Sequence, residues 1–82
     1  MEPPVWRTND FYVAAYLRCS GLRHLRNERE PRGNVLFCFD DSDPGHRAKL
    51  LQQWITGTGE VPARRYAELT RDLKNTLSLM GG

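Results

Sequence analysis

The chain has 82 residues, 39% of them hydrophobic and 27% charged, with a net charge of +2. That length allows one small domain around a single core, expected over 1–82 with 1–4 and 81–82 frayed. No apolar run approaches the ~20 residues of a membrane span, Met1-Glu2-Pro3-Pro4 lacks the basic start and apolar stretch of a secretory signal, and so small a net charge announces no polyanion partner.

Val5-Trp6-Arg7 predicts a short first strand. Thr8 is the expected N-cap of the helix that follows, its hydroxyl accepting an orphan backbone N–H, with Asp10 in the first turn. From Phe11 to Cys19 the run is apolar on almost every side and broken only by Arg18. A surface helix shows a stripe, so this one is expected to be buried on more than one side. It should stop at Gly21, which is free to turn left-handed.

Leu22 to Glu30 reads as an extended, mostly polar strand, and Pro31-Arg32-Gly33-Asn34 as a turn. Val35-Leu36-Phe37-Cys38-Phe39 is apolar at every position, the mark of a central strand. Asp43 caps the next helix and Pro44 suits its first position. Ala48, Leu51 and Ile55, with Leu50 and Trp54 beside them, form its apolar stripe, and Gly57-Thr58-Gly59 ends it. Val61-Pro62 opens the last helix, on which Tyr66, Leu69, Leu73, Leu77 and Met80 recur on one face.

These elements predict an α+β fold in the order β-α-β-β-α-α, with a three-stranded sheet, a buried first helix and two C-terminal amphipathic helices. The apolar strand is expected in the middle of the sheet. The two outer strands would then run parallel, linked through the first helix by a right-handed crossover. One face of that helix would meet the sheet and the other the two later helices.

The stretch Trp6-Arg7-Thr8-Asn9-Asp10-Phe11, followed by Ala14-Ala15, resembles the opening of a family of very short bacterial proteins known only as a domain of unknown function. The Gly21 break, Phe37-Cys38-Phe39 and Val61-Pro62-Ala63-Arg64 are similar as well. The resemblance covers about Trp6 to Leu77 and rests on structural punctuation and core positions. It implies a compact single domain and no catalytic residue, cofactor or substrate.

Ten of the twelve basic residues are arginine, a bias that a GC-rich genome also produces. Between 18 and 32 five arginines face two glutamates, a local +3. Arg23, Arg26, Arg29 and Arg32 are the candidate nucleic-acid contacts. A regular strand divides them, with Arg23 and Arg29 on one face and Arg26 on the other, and no aromatic lies among them to stack a base. The plainer reading is a solvated hairpin arm whose charges protect an edge.

Cys19, His24, Cys38 and His46 lack the close ligand pairs of a zinc site, and Asp40, Asp41 and Asp43 lack the pattern of a calcium loop. Both cysteines read as small buried hydrophobes in a reducing compartment, so the chain is expected in the cytoplasm. Gly57-Thr58-Gly59 lacks the context of a phosphate loop, and no serine has that of a nucleophile elbow. Neither an enzyme nor a cofactor is expected.

Trp6, Tyr12 and Trp54 are the candidate protein-interface residues, because aromatics dominate binding hot spots. The function expected from the residues is a small non-enzymatic binding module acting through protein–protein contacts or self-association. The alternative is a nucleic-acid-binding accessory protein using the arginine hairpin. No membrane and no small-molecule substrate is expected.

Overall fold

The computed structural model describes residues 2–79, in the order β1 (Val5–Thr8), α1 (Phe11–Cys19), β2 (His24–Arg29), β3 (Val35–Asp40), α2 (Pro44–Thr56) and α3 (Ala63–Leu79). The apolar strand β3 lies between the other two in the sheet order β1-β3-β2, antiparallel to each. The outer strands are therefore parallel to one another, as the alternation of elements predicts. Two rows cross all three strands: Trp6, Phe39 and His24 in one, Arg7, Cys38 and Arg26 in the next. Successive side chains alternate between faces, so Phe37 and Phe39 point to the helices while Leu36 and Cys38 point away from them.

On the helical side Val13, Ala14, Ala15, Tyr16 and Leu17 of α1 are buried, in one cluster with Phe37, Phe39, Leu50 and Leu73. The first helix is thus covered by the sheet on one flank and by α2 and α3 on another. Alanines at 14 and 15, both with no exposed surface, let neighbouring elements approach closely. Tyr12 breaks the pattern, because it is exposed and leaves one edge of α1 open to solvent.

The start of α1 differs from expectation. Thr8 belongs to β1, and Asp10 is the N-cap, its Oδ1 accepting from the N–H groups of Tyr12 at 3.0 Å and Val13 at 3.1 Å. A carboxylate can take both donors and also favours the positive helix end. Thr8 supports it one step back, its Oγ1 accepting from the Asp10 N–H at 3.1 Å. The helix ends at Cys19, and Gly21 follows with φ of +91°.

In α2 the inward face is turned from the expected stripe. Leu50 is buried, Arg47 and Leu51 are half-buried, and Ala48 and Ile55 are exposed. The helix packs by the line Arg47–Leu50–Leu51–Trp54, because Arg47 is held under it by Asp41, with Nε–Oδ1 3.0 Å and Nη2–Oδ2 3.1 Å. Asp43 caps α2 with Pro44 in the first turn, as the sequence predicts. In α3, Leu69 and Leu73 are buried and Tyr66 and Leu77 half-buried. Pro62 lies just outside this helix and its carbonyl accepts from the Tyr66 N–H at 3.0 Å. Met80, expected on the same face, and 81–82, expected to fray, lie outside the described residues, as does Met1. Of the N-terminal stretch, Pro4 is tied to the fold by its carbonyl, which accepts from the Asp41 N–H at 2.8 Å.

Leu17→Ala removes a side chain with no exposed surface and is expected to lower stability by about 2–5 kcal/mol. A domain with on the order of 5 kcal/mol in total would be left with about 0–3 kcal/mol. Asp10→Ala should lose about 1 kcal/mol, and Thr8→Ala less, since its hydroxyl takes only one N–H. Urea denaturation of the three variants checks the ranking, and a larger loss at Thr8 would show that the cap is misassigned.

Candidate functional site

A buried tyrosine needs a partner for its hydroxyl, and meeting that need shapes one end of the helical layer. Tyr16 is 3% exposed. Its Oη donates to Gln53 Oε1 at 3.4 Å, and its ring lies 5.2 Å from that of Trp54, tilted by 43°. Gly57 then ends α2 in the left-handed conformation, with φ of +73°. The Thr58 and Gly59 N–H groups both donate to the Gln53 carbonyl, at 3.0 and 3.1 Å. This reversal lays Gly59 on Tyr16 so closely that a Cβ there would stand 2.7 Å from Cζ of the ring. Glycine is required here by contact with a neighbour, not by its own dihedral angles.

Val61 and Tyr66 form the opposite wall. The result is a cleft of about 380 Å³ among α1, the end of α2, the α2–α3 loop and the start of α3. Among its lining residues the Gln53 amide, the Trp54 indole and two phenols carry the polar side-chain atoms, and none is a carboxylate, imidazole or amine. Burial raises the Tyr66 phenol above its ordinary value, with a smaller contribution from nearby Cys19, so it stays protonated. Trp54 at the rim is 37% exposed, and Ile55, next in the chain, is 75% exposed.

Tyr66 also borders a second, shallower hollow of about 420 Å³ along α3, walled by Ala67, Thr70, Arg71 and Lys74. The Tyr66 hydroxyl donates to the Tyr12 carbonyl at 3.5 Å, which brings the exposed Tyr12 ring to the same surface. Lys74 Nζ sits 5.9 Å from the centre of the Phe11 ring. Of the three expected interface aromatics, Trp54 and Tyr12 therefore lie on the helical surface around Tyr66. Trp6 does not join them. It is half-buried against the core, with the Arg47 guanidinium 5.6 Å over its ring.

The arginine hairpin is arranged differently from a regular strand. A bulge between His24 and Arg26 shifts the alternation. Arg26 pairs with Cys38 on the open face, Arg29 pairs with Val35 on the other, and Arg23 lies beside Asp40, whose N–H donates to its carbonyl at 2.9 Å. The extra residue thus separates Arg23 from Arg29, which a regular strand would put together. Arg26 is also bound to carboxylates, those of Glu2 and of Glu28 at 2.7 Å. Glu28 in turn holds Arg7 at 2.9 Å. These charges roof Cys38, which has no exposed surface although it faces away from the helices. Arg32 is exposed in the turn.

Hydrogen bonds from Arg7 and then Arg26 hold the Glu28 carboxyl down to about 2. Burial lowers His24 and raises both Cys19 and Cys38, so the imidazole is neutral and the thiols protonated near neutral pH. The His24 ring covers Phe39 at 5.2 Å and its Nε2 lies 2.6 Å from Asn27 Oδ1. Among the described residues no group of three or more His, Cys, Asp or Glu side chains could hold a metal ion, and no helix is long and apolar enough to cross a membrane. The sequence reading singled out Trp54 but not Gln53, Gly59, Val61 and Tyr66 as cleft walls. A signal was present in Gly57-Thr58-Gly59 directly after an aromatic helix end.

A family model described as Domain of unknown function (DUF5659) matches residues 5–79. No curated protein and no solved structure matches the chain.

Gly59→Ala drives a methyl group into the Tyr16 ring, and should lower stability by about 1–3 kcal/mol while separating Tyr16 from Trp54. Denaturant titration and tryptophan fluorescence report the two effects, and an unchanged spectrum and midpoint would refute the contact. The depressed Glu28 carboxyl also sets a pH dependence. Its contribution is complete above the ordinary carboxyl value of 4.5 and is lost as pH falls towards about 2. The urea midpoint should fall more steeply across that window in the native chain than in Glu28→Gln.

Proposed function

The chain belongs to the DUF5659 family, a domain of unknown function, and on that premise we propose a non-enzymatic protein-binding module whose contact surface is the helical layer around the Tyr16–Trp54 cleft. The carrying observation is an apolar hollow with an exposed Trp54 at its rim and an exposed Ile55 next to it in the chain. Exposed apolar side chains gathered around a concavity mark interaction sites more often than scattered ones do. Tryptophan and tyrosine supply much of the energy at protein interfaces, mainly where they fill or form pockets.

Acid–base or nucleophilic chemistry has little support at this cleft, since its side chains include no carboxylate, imidazole or amine. The nucleic-acid reading is weakened by the two carboxylates on Arg26, which an incoming phosphate would have to displace. Self-association through the same patch is a form of the proposed function. Two unpaired thiols fit a reducing compartment such as the cytoplasm, and the arginine-rich composition fits a bacterial source with a GC-rich genome.

Selection of a random displayed-peptide library on the immobilised protein tests the proposal. It should enrich peptides carrying an aromatic or branched aliphatic side chain. Ile55→Asp should weaken their binding by about tenfold or more, yet change stability by no more than about 0.5 kcal/mol, as expected of an exposed position. A library that yields no binder, together with light scattering from a strict monomer, would overturn it.

A further inference from the structure

We infer that the two hollows meeting at Tyr66 form one docking groove for an acidic segment of a partner protein, with an apolar anchor seated beside Trp54 and its carboxylates over Arg71 and Lys74. This rests on the protein-binding reading above and adds the chemistry of the partner.

Tyr66 lines both hollows, so an occupant of one reaches the other by passing over a single side chain. The two ends differ in kind. One has aromatic and aliphatic walls with a single amide. The other carries Arg71 and Lys74, both exposed, and no carboxylate among its walls. The charges of Arg18 and Arg65 both act on Cys19, at the opposite end of α1 from Lys74 and Phe11. Positive charge therefore lies beyond both ends of the aromatic surface.

Two of the carboxylates near the groove are already engaged, while Glu60, between the lining residues Gly59 and Val61, is exposed beside its apolar end. The Asp10 carboxylate, whose charge reaches the Tyr66 hydroxyl, is bound to the Tyr12 and Val13 N–H groups at the positive end of α1. Glu68 faces Arg64 at 3.7 Å. At the α3 end of the groove an incoming carboxylate thus meets guanidinium and ammonium groups, whereas a basic segment meets like charge there. Rim charges of this sort steer encounter and select partners more than they add affinity.

The distance along α3 from Tyr66 to Lys74 is ~12 Å at the helical rise, which an extended chain covers in about four residues. The acidic side chains of the partner should fall within about four residues of the point where it passes Tyr66. A nucleic-acid strand could also stack on these aromatics, but two cations on one side of a hollow give it little of the phosphate track such strands require.

The test uses the library-selected peptides, resynthesised with their acidic residues unchanged, replaced by the amides, or replaced by lysine. Their affinities are measured by fluorescence anisotropy for the native chain and for Arg71→Glu/Lys74→Glu, with circular dichroism to verify folding. Acidic residues should be enriched near the anchor, and the double variant should bind the acidic form about tenfold less tightly while gaining for the lysine form. Anchored peptides with no acidic preference, or acidic peptides bound equally by the double variant, would overturn this inference and leave the protein-binding reading standing. Absence of any peptide binder would overturn both. A labelled single-stranded oligonucleotide that binds the native chain, is lost in the double variant and displaces the peptides would overturn the choice of partner.

Discussion

The burial of α1 between the sheet and the two later helices is the constraint on which the rest of the molecule depends. Val13 to Leu17 lose nearly all their exposed surface, and each fully buried large apolar side chain contributes about 1.5–3 kcal/mol. In a chain this short little other apolar surface is available. Because α1 takes cover from two layers, α2 and α3 must both return to it. The loop between them must then pass over its C-terminal half, which is where Tyr16 sits.

That passage explains the cleft. A phenol at position 16 fills the space between α1 and the end of α2, but its hydroxyl needs an acceptor, and Gln53 supplies one. The Gln53 carbonyl also anchors the turn through Thr58 and Gly59, so a single residue orients both the ring and the loop. The side chains left over after this packing, Trp54 and Ile55, are those the core has no room to cover. The surface proposed for binding is thus a consequence of how a small core closes.

The two faces of the sheet use different physics. Towards the helices Phe37 and Phe39 are sealed by hydrocarbon, and towards solvent Cys38 is sealed by the linked charges of Arg7, Glu28, Arg26 and Glu2. Arginine stems cover apolar surface while their heads stay in water. The bulge in β2 and the charges on it also blunt an edge that could otherwise recruit a strand. An arginine cluster that looks like a phosphate site along the sequence serves here as the roof of an uncovered sheet.

Local signals were enough for the order of elements, the central place of β3, the stops at Gly21 and Gly57 and the burial of α1, because each follows from periodicity, backbone freedom or a run of apolar residues. The N-cap was legible only to within two residues, since Thr8 and Asp10 are both competent caps and the extent of β1 decides between them. Tertiary structure alone decided the inward face of α2, because the Arg47–Asp41 pair turns it from the stripe its own sequence suggests. It alone decided that Arg26 is held by Glu2, far away in the chain, as well as by nearby Glu28, and that Tyr16, Gln53, Gly59 and Tyr66 enclose one hollow. Contacts between residues far apart in the chain depend on how layers stack, and no local pattern encodes that.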